Sequence, residues 1–142
     1  MKRVMATGVF DILHPGHIHY LSESKKLGDE LVVVVARDIT ARKNGKDPVF
    51  DENTRLFMVS QLRVVDRALL GHENDIFKTV KEIKPDIITI GYDQKFDPLF
   101  ISNRSKEIGI NLEVVRISGY VSPINSSSLV RKKLLDAIQN YI

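Results

Sequence analysis

The chain has 142 residues, 27% of them charged and 43% hydrophobic, a formal net charge of +3, and no cysteine. That length fits one domain over residues 1–142 that buries about two-thirds of its unfolded surface, and the composition is that of an ordinary globular protein rather than a disordered one. Without cysteine there is no disulfide, thiol nucleophile or Cys-ligated metal, and the longest purely apolar run, 31–36, is far too short to span a bilayer.

In chain order, short β-branched runs at 4–6, 31–36, 68–70, 87–90 and 112–117 read as strands, and helical spacing fills the gaps between them. Pro15-Gly16 open the first helix, which carries Ile18, Leu21 and Leu27 and is expected to close on Gly28 as a C′ glycine. Asp51 is read as the cap of the second, with Leu56, Val59 and Leu62 on its inner face. The third carries Ile76, Val80 and Ile83 and stops before Pro85; the fourth runs from about 98 to 108 and ends at Gly109. The last follows Ser126-Ser127-Ser128 and presents Leu129, Val130, Leu134 and Ile138 as its buried face. Such alternation implies an α/β, Rossmann-like domain: a five-stranded parallel sheet with helices on both faces.

Ligands of such sheets bind at the carboxyl ends of the strands, and four loops reach that rim: 8–17, 37–46, 91–93 and 118–128. The first carries His14-Pro15-Gly16-His17, two histidines at the N-terminus of a helix, where bare N–H groups and partial positive charge favour phosphate. A metal cage of His14, His17 and His19 is the rival reading, with Asp11 as the one carboxylate nearby. The basic residues Arg37, Arg42, Lys43 and Lys46 gather in the second loop; Lys132-Lys133 read as a solvated face and His72 as surface. Two readings of the serine triplet stand, an N-cap for the last helix and a phosphate-holding N-terminus with Arg131 one turn inside. Asp93 reads either as a turn cap or as a contact to a ribose or base. Gly-x-Gly-x-x-Gly and P-loop motifs are absent. No basic–aromatic stripe marks a nucleic-acid surface. Asp11 and His14 interrupt any secretory segment after Met1-Lys2-Arg3, so a cytoplasmic protein with neither nucleic-acid nor membrane partner is expected.

Thr-Gly-Val-Phe-Asp-Ile-Leu-His14-Pro-Gly-His17 resembles the signature of the cytidylyltransferase-like nucleotidyltransferases. Ser126-Ser127-Ser128-Leu129-Val130-Arg131 resembles their second, looser signature, departing from it where Asn125 separates Ile124 from the serines and Leu129 replaces a frequent Lys. Arg55 in Glu-Asn-Thr-Arg and Val65-Asp66 extend the resemblance over nearly the whole chain. Gly91-Tyr92-Asp93-Gln94, Val-Val-Ala-Arg-Asp at 34–38 and Val-Asp-Arg-Ala-Leu-Leu-Gly at 65–71 are similar to archaeal-type FAD synthases. Glycerol-3-phosphate cytidylyltransferases, which typically carry an acidic pair and Trp after the fourth strand, or another phosphomonoester nucleotidyltransferase, are the alternative, and a non-catalytic nucleotide sensor on the same scaffold ranks third.

The resemblance implies transfer of AMP from ATP (or a nucleotide from CTP) to a phosphomonoester, FMN in the FAD synthase branch, with release of pyrophosphate. It implies catalytic roles for His14, His17, Lys43 and Arg131. Val9, Phe10, Pro15, Gly16, Asp93, Tyr120, Ser127 and Ser128 are then expected on the nucleotide, and Asp11, Lys46 and Arg55 on substrate. A divalent cation, Mg2+, held by substrate phosphates, and a homodimer with Val64-Val65 as a contact complete the expectation.

Overall fold

The computed structural model describes residues 1–73, 75–121 and 126–141. Its elements are β1 (Arg3–Gly8), α1 (Pro15–Lys25), β2 (Glu30–Val35), α2 (Asp38–Lys43), α3 (Glu52–Ser60), β3 (Arg67–Leu70), α4 (Ile76–Ile83), β4 (Ile87–Ile90), α5 (Pro98–Glu107), β5 (Glu113–Arg116) and α6 (Ser127–Tyr141). The strands form one five-stranded sheet in the order β3-β2-β1-β4-β5, every neighbouring pair parallel. The chain winds from β1 towards β3, then crosses back to β4 on the other side of β1. The topological switch therefore lies between β1 and β4, and a crevice opens at their carboxyl ends.

Alternating side chains divide the core between the two faces. Val4, Ala6, Leu31, Val33 and Val35 pack with Tyr20 and Leu21 of α1 and Val59 of α3. Met5, Val32, Val34, Ile88 and Ile90 pack with Val80 and Ile83 of α4 and Ile101 of α5. A buried polar link fixes α1 across the switch. Tyr20 Oη donates to Thr89 O at 2.8 Å and accepts from Thr7 N–H at 3.2 Å, while Ser24 Oγ and Thr89 Oγ1 lie 2.8 Å apart. Burial pushes the Tyr20 phenol up to about 12, so it remains a donor throughout the physiological range.

Three expectations about the helices change. Gly28 does not take a positive φ and is not a C′ glycine; a Cβ there would come within 2.8 Å of Lys2 O and of the Val4 side chain, so close approach of β1 explains it. Gly109 does end α5 as expected, at φ +82° with Ile110 N–H on Ser105 O at 2.8 Å. The segment 37–46, read as a loop, contains α2, whose six residues are too few for a periodic signal. It is fixed instead by Glu52, which accepts Asp38 N–H at 3.0 Å, and by a left-handed Gly45 that places Lys46 N–H on Ala41 O at 2.9 Å. Finally, α6 does not bury the face assigned to it: Leu134, Leu135 and Ile138 are exposed, as is Leu129. Val64 and Val65, expected at a dimer contact, pack against the core beside β3. Among the described residues no helix is long and apolar enough to cross a membrane.

Candidate active site

At the switch point the loops after β1, α2, β4 and β5 and the start of α6 enclose a cleft of about 470 Å³, a size that suits a small-molecule ligand. The floor begins at Gly8, where a Cβ would meet the Phe10 ring at 2.8 Å. Phe10 takes a left-handed backbone (φ 54°) with its ring buried against His17 and Tyr20. Such an outlier costs about 1–3 kcal/mol and persists only where its surroundings over-determine it. Here it turns the chain at a point where Val9 and Phe10 line the cleft, while Phe10 packs into the core and anchors the loop.

His14 caps α1, and the two histidines replace the hydroxyl and carboxylate of an ordinary capping box. His14 Nδ1 accepts Gly16 N–H at 3.0 Å, and His17 Nδ1 accepts His14 N–H at 3.3 Å. The rings stack with centroids 3.8 Å apart. Desolvation lowers the pKa of His14, opposed by the nearby Asp93 charge. Desolvation, His14 and Lys46 together hold His17 down at about 3. Both imidazoles are therefore neutral at pH 7. A neutral imidazole carries one N–H, and with Nδ1 accepting in each ring that proton sits on Nε2. The backbone thus fixes two donors at the positive end of a helix, facing a cleft that both rings line.

The depressed His17 pKa has a consequence for stability. Between its ordinary value of 6.5 and about 3 the unfolded chain binds a proton there that the folded chain does not, so stability falls as pH drops through that window. His17→Gln is expected to lose less stability than wild type between pH 7 and pH 4, measured as the urea midpoint. Equal losses in the two proteins would contradict the assignment.

The remaining expected residues divide. Gly16, Lys46, Asp93, Tyr120, Ser127, Ser128 and Arg131 all line the cleft. Pro15 is at N1 of α1 and does not. Lys43 belongs to α2, outside the lining; Lys46 is the cation of that segment at the wall. Asp11, expected on substrate, accepts the Val49 and Phe50 N–H groups at 2.8 and 2.9 Å and pairs with Arg131. Its carboxylate holds the segment after Gly45 and orients Arg131, which also donates to Asp47 O at 3.3 Å. Arg55 is displaced furthest from expectation. It is fully buried, donating to Phe50 O, Val9 O and Ala36 O at 3.0, 2.8 and 2.7 Å and to Asp38 at 2.7 Å, so it braces three loops from outside the cleft lining.

Ser126 Oγ accepts Leu129 N–H at 3.2 Å and caps α6, and Ser127 Oγ donates to Ile12 O at 3.5 Å, docking that helix end on the first loop. Residues 122–125, including Ile124 and Asn125 of the second signature, lie outside the described residues. His19 Nε2 lies 3.1 Å from Ser118 O and its ring packs near Tyr120, and among the described residues no three His, Asp or Glu side chains come together as a metal cage. Thr7, Gln94 and Arg116 are site-forming residues that sequence reasoning missed. They act through backbone carbonyls, which leave no mark in the residue pattern.

Comparison with known proteins places this geometry. A model of the cytidylyltransferase-like family matches residues 5–133. The chain is 67% identical over 138 residues to the FAD synthase of Thermoplasma volcanium, covering 97% of each chain, and shows the same identity and coverage with that of Thermoplasma acidophilum. A crystal structure described as the lipopolysaccharide core biosynthesis protein from Thermoplasma volcanium GSS1 superposes with a TM-score of 0.84 at 69% identity, covering 85% of this chain and 99% of that one. The chain belongs to the cytidylyltransferase-like family, among its FAD synthases, and is a nucleotidyltransferase.

Proposed function

We propose that the chain transfers AMP from ATP to FMN, giving FAD and pyrophosphate. A phosphate oxygen of FMN attacks the α-phosphorus, the bond from that phosphorus to the β-bridging oxygen breaks, and pyrophosphate leaves with the electron pair. The acceptor needs no base, because a phosphomonoester with a second pKa near 6 is mostly dianionic at neutral pH. What the protein must supply is in-line positioning and stabilisation of charge on the α-phosphate and the leaving group.

One observation carries the reading: two neutral imidazoles with Nδ1 spent on backbone N–H groups and Nε2–H left as donors at the N-terminus of α1. In this role His14 and His17 bind phosphate oxygens as they gain charge, and the Gly16 backbone leaves room for the nucleotide. Lys46 and Arg131 neutralise the β- and γ-phosphates, with Ser127 and Ser128 at the α6 N-terminus, while Asp93 and Tyr120 take the nucleoside side. Asp11 has its oxygens engaged, so the donor set suits Mg2+ held chiefly by phosphate oxygens. When bound, that ion supplies further neutralisation of the triphosphate.

A cytoplasmic location belongs to the same reading. So does a homodimer, supported by the apolar residues that α6 leaves exposed; sedimentation showing only monomer at micromolar concentration would remove it.

The test is a panel of ATP and CTP against FMN and glycerol 3-phosphate, scored by pyrophosphate release and product chromatography. FAD from ATP and FMN is the expected product. CDP-glycerol from CTP would reassign the acceptor, and no pyrophosphate with any pair would make the chain a nucleotide-binding protein only.

A further inference from the structure

The connection from β4 to α5 is tied down more closely than an irregular surface segment requires. Gly91–Gln94 closes as a turn, with Gln94 N–H on Gly91 O at 3.1 Å. The Gln94 side chain accepts Gly91 N–H at 2.8 Å and donates to Thr7 O at 2.9 Å, joining the turn to the end of β1. From the neighbouring strand, Arg116 Nη1 donates to Gly91 O and to Gln94 O, each at 3.0 Å, and Nη2 donates to Phe96 O at 2.8 Å. Arg116 reaches them because it ends β5 in register with Ile90, the last residue of β4. Carbonyls of irregular backbone lack ladder partners, and a planar guanidinium with five N–H groups can hold three of them together in a way no other side chain matches.

The central residues of this turn are Tyr92 and Asp93, and both line the cleft. The Tyr92 ring lies over Gly119, where a Cβ would come within 3.2 Å of it. The turn thus presents one aromatic face and one carboxylate from a backbone fixed on both sides.

We propose that Arg116 is a positioning residue for the nucleotide: by holding the carbonyls that flank Tyr92 and Asp93, it sets the two side chains against the nucleoside end of the ligand. The identity of that ligand rests on the nucleotidyl-transfer reading, but not on FMN as acceptor. Arg116 meets no reacting atom, so its loss is felt in binding rather than in the chemical step.

The experiment compares wild type, Arg116→Ala and Arg116→Lys for ATP affinity by titration calorimetry, for kcat and KM, and for thermal midpoint, each with and without millimolar methylguanidinium. In Arg116→Ala the Kd and KM for ATP rise about tenfold or more, the effect of a displaced binding group, while kcat stays within about threefold of wild type. The midpoint stays within about 3 °C. Methylguanidinium restores ATP affinity to Arg116→Ala, and Arg116→Lys stays weak because one ammonium lacks the planar fork. Unchanged ATP affinity, affinity lost without recovery by methylguanidinium, or kcat and midpoint falling together at constant KM would overturn the proposal. If wild type binds ATP yet makes no FAD, the proposed reaction falls and the Kd comparison still decides the role of Arg116.

Discussion

Replacing His17 by alanine is expected to lower kcat by about a hundredfold or more, the usual cost of deleting one preorganised donor to a charge-bearing oxygen, and to leave the fold intact. The tautomer sharpens the expectation. His17 Nδ1 accepts a backbone N–H, and the donor lies on the opposite edge of the ring. His17→Asn puts an amide near the Nδ1 position and keeps the cap without the donor; His17→Gln reaches the Nε2 position and keeps the donor without the cap. Gln is therefore expected to retain more activity than Asn, and Asn more stability than Gln. Steady-state turnover and urea midpoints for the three variants check both orders. A fully active His17→Ala would remove His17 from the mechanism, and the reverse order of Gln and Asn would reverse the tautomer.

The second large effect is structural. Arg55→Ala removes a fully buried guanidinium and leaves Asp38 and the carbonyls of Val9, Ala36 and Phe50 without their donor. Removing one partner of a buried ion pair costs about 3–5 kcal/mol, a large fraction of the 5–15 kcal/mol that holds a typical domain together. A fall in thermal midpoint of roughly 10 °C follows for a chain of this length. Arg55→Lys is expected to rescue little, since one ammonium cannot serve four acceptors set around a planar fork. The pattern of loss matters as much as its size: Val9, whose carbonyl Arg55 holds, lines the cleft, so nucleotide affinity falls along with stability. A variant that melts at the wild-type temperature but loses turnover would return Arg55 to the substrate.

These two residues show what the sequence reveals and what it hides. His14 and His17 were legible because a strand, a glycine and a proline-opened helix fix where they stand. The Nδ1–backbone contacts then follow from cap geometry. Asp51 and Gly109 were legible for similar reasons: each acts within a few residues of itself, Asp51 on Thr54 N–H and Gly109 at the end of α5. Arg55 was not, because its partners are carbonyls on three separated loops, and any residue type presents a carbonyl. Asp11 and Lys43 show related limits. A carboxylate beside a phosphate motif is read as a ligand until its oxygens are found on Val49, Phe50 and Arg131, and a lysine cluster does not say which member meets the cleft. The exposed face of α6 marks a different limit, since periodicity in Val130, Leu134 and Ile138 defines a stripe without saying what covers it.

The central claim is a single in-line displacement at the α-phosphorus of ATP, carried out over neutral imidazole donors with no covalent enzyme intermediate. Its most direct test is turnover of FMN with ATP made chiral by sulfur at the α-phosphorus, followed by assignment of configuration in the thio-substituted FAD. Inversion is the predicted result. Retention, which requires two displacements and a nucleotidyl-enzyme intermediate, would contradict the account.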